Sequence, residues 1–167
     1  IDDLFATVQA PIVIHAVAEV IEVLETNIFN WSVYPRFSEL RNDFGSVMEY
    51  RPFEIGIEFT VQHLNVRAIG VNHKVPAVGF ILSDGDSVVA MTGDTAELNG
   101  FWDEVNGLPE VSAVIVECAF PNRLEGLARL SHHLTPEKLG RELTKLKHDC
   151  PIFVMSINDQ LVVLSVL

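Results

Sequence analysis

The sequence predicts a layered α/β protein, and three observations carry that reading. Short runs rich in Val and Ile recur from Ile12 to Leu164, with the length and composition of strands. Between them lie segments with apolar residues at helical spacing, one of them opened by Thr135-Pro136-Glu137. That triplet supplies an N-cap, a proline at the first helical position and an acidic first turn. Finally, 49% of the 167 residues are hydrophobic, enough to fill the core of one domain.

Taken in order, Ile12 to His15 reads as a short buried strand and Ala16 to Phe29 as a helix, because Val20, Ile21, Leu24 and Ile28 share one face. Glu19, Glu22 and Glu25 then point to solvent. Trp31 to Arg51 is a long connection with turn signals at Tyr34-Pro35 and Gly45-Ser46, a length often found in lids and substrate walls. Its aromatic residues Trp31, Tyr34, Phe37, Phe44 and Tyr50 suit either stacking on a nucleobase or a small satellite core.

From Ile57 the period changes to that of strands: Ile57 to Val61, Leu64 to Ile69, Val78 to Leu82 and Ser87 to Met91, with Asp84-Gly85 as a hairpin turn. This gives two successive hairpins. Glu97 to Val105 has a helical pattern, Ala113 to Glu117 that of a buried strand, and Thr135 to His148 that of a helix burying Leu139, Leu143 and Leu146. Ile152 to Val154 and Leu161 to Leu164 are the last strands, and no linker divides residues 1–167.

The net charge of −12, from 11 Lys and Arg against 23 Asp and Glu, argues against broad nucleic-acid binding, which needs a basic face. A small anion can be held by metal and a few histidines without one. Every apolar run is shorter than the ~18 residues of a spanning helix, so no membrane partner is expected. No signal-peptide pattern stands at the start, which leaves both cytoplasm and periplasm open. Cys118 and Cys150 are too few for a disulfide framework, and Cys118 in its apolar run reads as a buried free thiol.

Two polar residues stand at strand ends. His73 follows the strand Leu64 to Ile69, and Asp94 follows Ser87 to Met91 through Thr92-Gly93, where glycine permits a sharp turn. Imidazole and carboxylate are ligands for divalent zinc or manganese, and rigid strand ends suit them. The alternatives are a structural histidine and an aspartate that caps the next helix. His15, His63 and His148 fall in no motif and read as surface or capping residues.

Several segments in fixed order resemble the class II cyclic nucleotide phosphodiesterases of the metallo-β-lactamase superfamily. They are the run from Val71 to Phe80, then Thr92-Gly93-Asp94-Thr95, Val114 to Asn122 and Leu130 to Glu137. The likeness extends from Pro11-Ile12-Val13-Ile14, through Tyr50-Arg51-Pro52, to Pro151-Ile152-Phe153-Val154. The resemblance implies an αββα sandwich, incomplete at its N-terminus, and a hydrolase that cleaves 3′,5′-cyclic nucleotides, cAMP or cGMP, to 5′-monophosphates. It implies two divalent ions, zinc in the first place and otherwise manganese or iron. His73 would ligate one ion and Asp94 would bridge both, while His133, backed by Glu117, would protonate the departing oxygen.

The family's early His-x-His-x-Asp-His signature is absent, so the chain resembles the C-terminal two-thirds of a longer enzyme. Met155-Ser156 stands where the family carries Thr-His, and His132 where it carries Gly. With those ligands missing, the chain alone is expected not to turn over substrate, and its uncovered sheet is expected to self-associate, a homodimer being one such form. Two other readings remain open: a tRNase Z-like phosphodiesterase, and a member of the fold that has lost catalysis.

Overall fold

The computed structural model describes residues 7–98, 100–155 and 162–164. They form two compact units, Ile1–Glu54 and Ile55–Leu167.

In the first unit, strand β1 (Ile12–Ala16) leads into helix α1 (Ala18–Val23). The helix starts two residues later than its apolar spacing predicts, since Ala16 pairs with Pro52 and its carbonyl accepts Phe53 N–H at 3.2 Å. It then widens into a π-helical turn, Leu24–Ile28, closed by Phe29 N–H on Leu24 O at 2.7 Å. Glu25 does not face solvent as expected. Its carboxylate pairs with Arg36 Nε at 3.0 Å and accepts Ser38 Oγ–H at 2.8 Å.

The stretch Trp31 to Arg51 is more than a connection. It holds a 3-10 turn (Phe37–Glu39), a hairpin of β2 (Arg41–Asn42) and β3 (Gly45–Ser46), and most of strand β4 (Met48–Pro52). Strand β4 runs parallel to β1, from Ile12 opposite Met48 to Ala16 opposite Pro52. Phe37, at 2% exposure, packs with Val47 and Met48, so it belongs to a satellite core and cannot stack on a ligand. Trp31, Tyr34 and Phe44 remain exposed.

The second unit is built on one seven-stranded sheet. Strands β5 (Glu58–Val61), β6 (Leu64–Gly70), β7 (Val78–Ser83) and β8 (Val88–Met91) form a continuous antiparallel meander. Two separate hairpins were expected; the β6–β7 pairing joins them. At the Asp84-Gly85 turn, Asp84 Oδ1 accepts the N–H groups of Asp86 and Ser87 at 3.0 and 2.8 Å, the local bonding that makes aspartate a turn residue.

Helix α2 (Phe101–Asn106) begins four residues later than the pattern from Glu97 suggests. The reason is that the polar backbone groups of Ala96, Glu97 and Leu98 are engaged with Asn72 and Glu142. Strand β9 (Ala113–Glu117) forms as expected. Helix α3 (Glu125–Ser131) is absent from the sequence reading, because its leucines Leu127 and Leu130 are exposed and leave only Ala128 buried.

Helix α4 (Pro136–Leu143) has Thr135 at its N-cap position, yet the side chain that caps it is Asn122, whose Oδ1 accepts Glu137 N–H at 3.0 Å. It stops at Leu143, short of His148, where Thr144 Oγ–H turns back onto Arg141 O at 2.7 Å. Strands β10 (Ile152–Met155) and β11 (Val162–Leu164) complete the order β11-β10-β9-β8-β7-β6-β5. Phe101, Trp102 and Val105 of α2, with Leu139 of α4, pack on Ile69, Ile81, Val114 and Val154 of the sheet. Each such side chain, fully buried, contributes roughly 1.5–3 kcal/mol.

Candidate metal centre

Strand direction decides where the polar residues meet. Strands β8, β9 and β10 are mutually parallel, with Met91 opposite Ile115 and Glu117 opposite Met155, so their carboxyl ends share one edge of the sheet. Strand β7 is antiparallel to β8 and starts at that edge, where Gly70 at the end of β6 faces Val78. The loops after β6, β8 and β9 therefore open on the same side, as ligand sites do in sheets with a parallel core.

Asp94 hangs from a turn fixed on both sides. Gly93 sits at φ 61°, a conformation that glycine adopts without strain. Thr92 and Thr95 are fully buried. Thr92 Oγ accepts Glu117 N–H at 3.2 Å, and Thr95 Oγ accepts Asn72 N–H at 3.2 Å. Strand β7 comes so close to this turn that a Cβ on Gly79 would lie 2.7 Å from Met91 O and 3.1 Å from Thr92 O. Asp94 itself is exposed and lies well ahead of α2, whose N-cap is Gly100; it caps no helix.

The donor atoms of His73, Asp94 and His133 all lie within 4.8 Å of one another. Neither ring nitrogen of His73 has a hydrogen-bond partner among the described residues, although both are buried. Each such polar group costs about 1–3 kcal/mol if left unpaired, and a metal bond removes that cost. Two imidazoles and one carboxylate form a donor set suited to zinc. The residues present fit a divalent cation.

His133 is oriented from behind. Its Nδ1 is hydrogen-bonded to Glu117 Oε1, and its ring makes edge contacts with His73 and Phe120 at centroid separations of 5.0 and 5.5 Å. Glu117, at 7% exposure, also receives Leu134 N–H at 3.1 Å and Ala119 N–H at 3.3 Å on Oε2. Burial pushes its carboxyl above the usual range, against the opposing pull of His133 and the two backbone donors. With a carboxylate on Nδ1, the proton of the neutral ring is held there and Nε2 keeps its lone pair. Beside these groups lies a cavity of about 230 Å³ lined by Met91, Asp94, Ile115, Glu117 and Met155.

No family model matches the chain. A probable 3′,5′-cyclic-nucleotide phosphodiesterase of Yersinia pestis is 28% identical over 153 residues, 80% of this chain and 43% of the relative. Unliganded yeast PDE1 superposes with a TM-score of 0.70 at 18% identity, over 81% of this chain and 43% of its own length. A metallo-β-lactamase fold protein from Bacillus subtilis gives a TM-score of 0.63 at 14% identity, covering 86% of this chain and 52% of its own. This chain has the metallo-β-lactamase fold. Human tRNase Z, short form, shares that fold with a TM-score of 0.60 at 16% identity, over 91% of this chain and 63% of its own length. The chain thus spans less than two thirds of each of these proteins.

Within this metallo-β-lactamase fold, all four residues singled out in the sequence, His73, Asp94, Glu117 and His133, lie at one edge of the sheet. Ser156 lies outside the described residues. His148 has a capping role, with Nε2 3.0 Å from the Val105 carbonyl of α2. The sequence reading missed Asn72, Thr92 and Thr95 as supports of the site. Their signal was available in the two threonines flanking Gly-Asp, small polar residues beside a strand end and a sharp turn.

Proposed function

We propose that the protein is a metal-dependent phosphodiester hydrolase whose substrate is a 3′,5′-cyclic nucleotide, cAMP or cGMP, opened to the 5′-monophosphate. The observation that carries this reading is the convergence of His73, Asp94 and His133, with Glu117 bonded behind His133. The similarity to the Yersinia pestis phosphodiesterase supports the substrate class. In this reading His73 and Asp94 would be the residues of this chain that hold two divalent ions, zinc in the first place. When bound, the ions supply a hydroxide nucleophile and neutralise charge on the phosphoryl oxygens.

His133 acts on the leaving side. The ring that does this carries a proton on each nitrogen: Nδ1–H donates to Glu117, and as the bond between phosphorus and the 3′-oxygen breaks, Nε2–H passes its proton to that oxygen, leaving the neutral ring with its proton on Nδ1 and its orientation held by Glu117. The net charge of −12 favours a small phosphodiester over the polyanionic RNA of a tRNase Z. A second reading, a scaffold without catalysis, is favoured by Ser156, since a serine hydroxyl is a poor zinc ligand at neutral pH.

Metal analysis combined with a hydrolysis assay tests the proposal. The expected result is bound divalent metal that is lost in Asp94→Ala and His73→Ala, and chelator-sensitive hydrolysis of cAMP when the chain is joined to the His-x-His-x-Asp-His segment of the family it resembles. Metal-free protein with no such hydrolysis would establish the scaffold reading instead.

A further inference from the structure

Asn72, the residue before His73, has every polar group engaged. Its N–H donates to Thr95 Oγ at 3.2 Å, its carbonyl accepts Ala96 N–H at 2.7 Å, and its side-chain Nδ2 donates to Glu97 O at 3.1 Å. These three partners follow Asp94 directly. Its remaining atom, Oδ1, lies 3.0 Å from Nδ1 of His132, the residue before His133. The carbonyl of Glu97 can only accept, so the amide nitrogen must face it and Oδ1 must face the imidazole. Oδ1 can only accept in turn, so His132 Nδ1 carries the proton.

His132 reaches that bond from an unusual backbone position. It ends α3 at φ 59° and ψ 58°, with His133 N–H bonded to Ala128 O at 2.8 Å. This is the left-handed helix end that glycine fills without strain and a residue with a Cβ fills at some cost. The bond to Asn72 is what the ring gains there.

Resting on the metal reading given above, we infer that Asn72 and His132 are positioning residues: their hydrogen bond ties the loop of His133 to those of His73 and Asp94 and holds the two metal residues and the proton donor at their mutual spacing. Asn72 is neither one of these three residues nor among those that line the cavity. It acts through its neighbours. Ligand sets held by such outer hydrogen bonds lose affinity when the bond is cut.

The test is a titration with Co²⁺, followed by its visible absorption, on wild-type, His132→Gly, Asn72→Ala and doubly substituted protein, with thermal unfolding measured alongside. His132→Gly separates the two roles because they push in opposite directions. Glycine relieves the left-handed backbone, so the melting temperature should hold or rise, while Co²⁺ affinity should fall about 10-fold. The double variant should bind Co²⁺ no more weakly than Asn72→Ala, since both act through one bond. Unchanged affinity in His132→Gly overturns the inference and leaves the metal reading standing. Failure of wild-type protein to bind Co²⁺ at all overturns the metal reading, and this inference with it.

Discussion

Glu142 on helix α4 is a buried carboxylate whose removal should be felt throughout the second unit. It is 2% exposed. Oε2 accepts Leu98 N–H at 3.0 Å and Trp102 Nε1–H at 2.9 Å, and Oε1 pairs with Lys145 Nζ at 2.6 Å. Glu142→Ala strips the partner from two buried donors, each worth about 1–3 kcal/mol when orphaned. Lys145 is 41% exposed, so water replaces its half of the ion pair at little cost. The sum is about 2–6 kcal/mol, or a fall in melting temperature of about 4–24 °C for a chain of this size. Glu142→Gln keeps an oxygen for both donors and disturbs only the contact with Lys145, for about 1–2 kcal/mol. Leu98 closes the loop that carries Asp94, so the alanine variant should also weaken metal binding. Urea and thermal unfolding followed by circular dichroism read both numbers. An alanine variant within about 1 kcal/mol of wild type, or a glutamine variant as unstable as alanine, would refute this account of the network.

Three further outcomes are expected. In a protein that joins this chain to the His-x-His-x-Asp-His segment of the family it resembles, Asp94→Asn should lose metal and nearly all turnover, whereas His133→Ala should lose roughly 10²–10⁴-fold in rate; a substrate with a better leaving group should recover part of the second loss and none of the first. Burial, with Glu117 next in line, pushes the Cys118 thiol up to about 11, so its reaction with an aromatic disulfide reagent should be slow at neutral pH and rise tenfold per pH unit towards that value; a plateau below pH 9 would contradict the buried environment. The sheet edge at β5 is paired on one side among the described residues, and Ile55 and Ile57 beside it are exposed, so the 167-residue chain should self-associate; light scattering showing a monodisperse monomer would count against it.

The strands were largely legible because their signal is local. Ala113 to Glu117 and Val78 to Leu82 alternate or run apolar in a way that survives without knowledge of neighbours, and their boundaries hold to within a residue. Helices were less legible where side chains face water or where the backbone is committed elsewhere. Helix α3 offers exposed leucines in place of a buried stripe, and Glu97 and Leu98 open a stretch that looks helical but give their C=O and N–H groups to Asn72 and Glu142. Strand β4 went unread because Met48-Glu49-Tyr50-Arg51-Pro52 mixes charge and proline; it forms through its parallel pairing with β1, a contact remote in sequence.

The site shows the same division more sharply. His73 and Asp94 were legible as strand-end donors, since strand ends and the Gly93 turn are local features. Their convergence was not, because it depends on strand order: β8 and β9 must lie side by side and parallel for Asp94 and Glu117 to emerge at one edge, and the meander must return β6 to that edge for His73 to join them. The supports follow from close packing and are harder still to read. Gly79 matters because Met91 O lies where its Cβ would be, a distance that no pattern in the sequence encodes. His132 is the clearest instance. On local rules glycine belongs at a left-handed helix end, so a histidine there reads as a departure. Placed in the fold, that departure puts an N–H donor 3.0 Å from Asn72 Oδ1, and the residue that breaks the local rule becomes the one joined to the loop of His73.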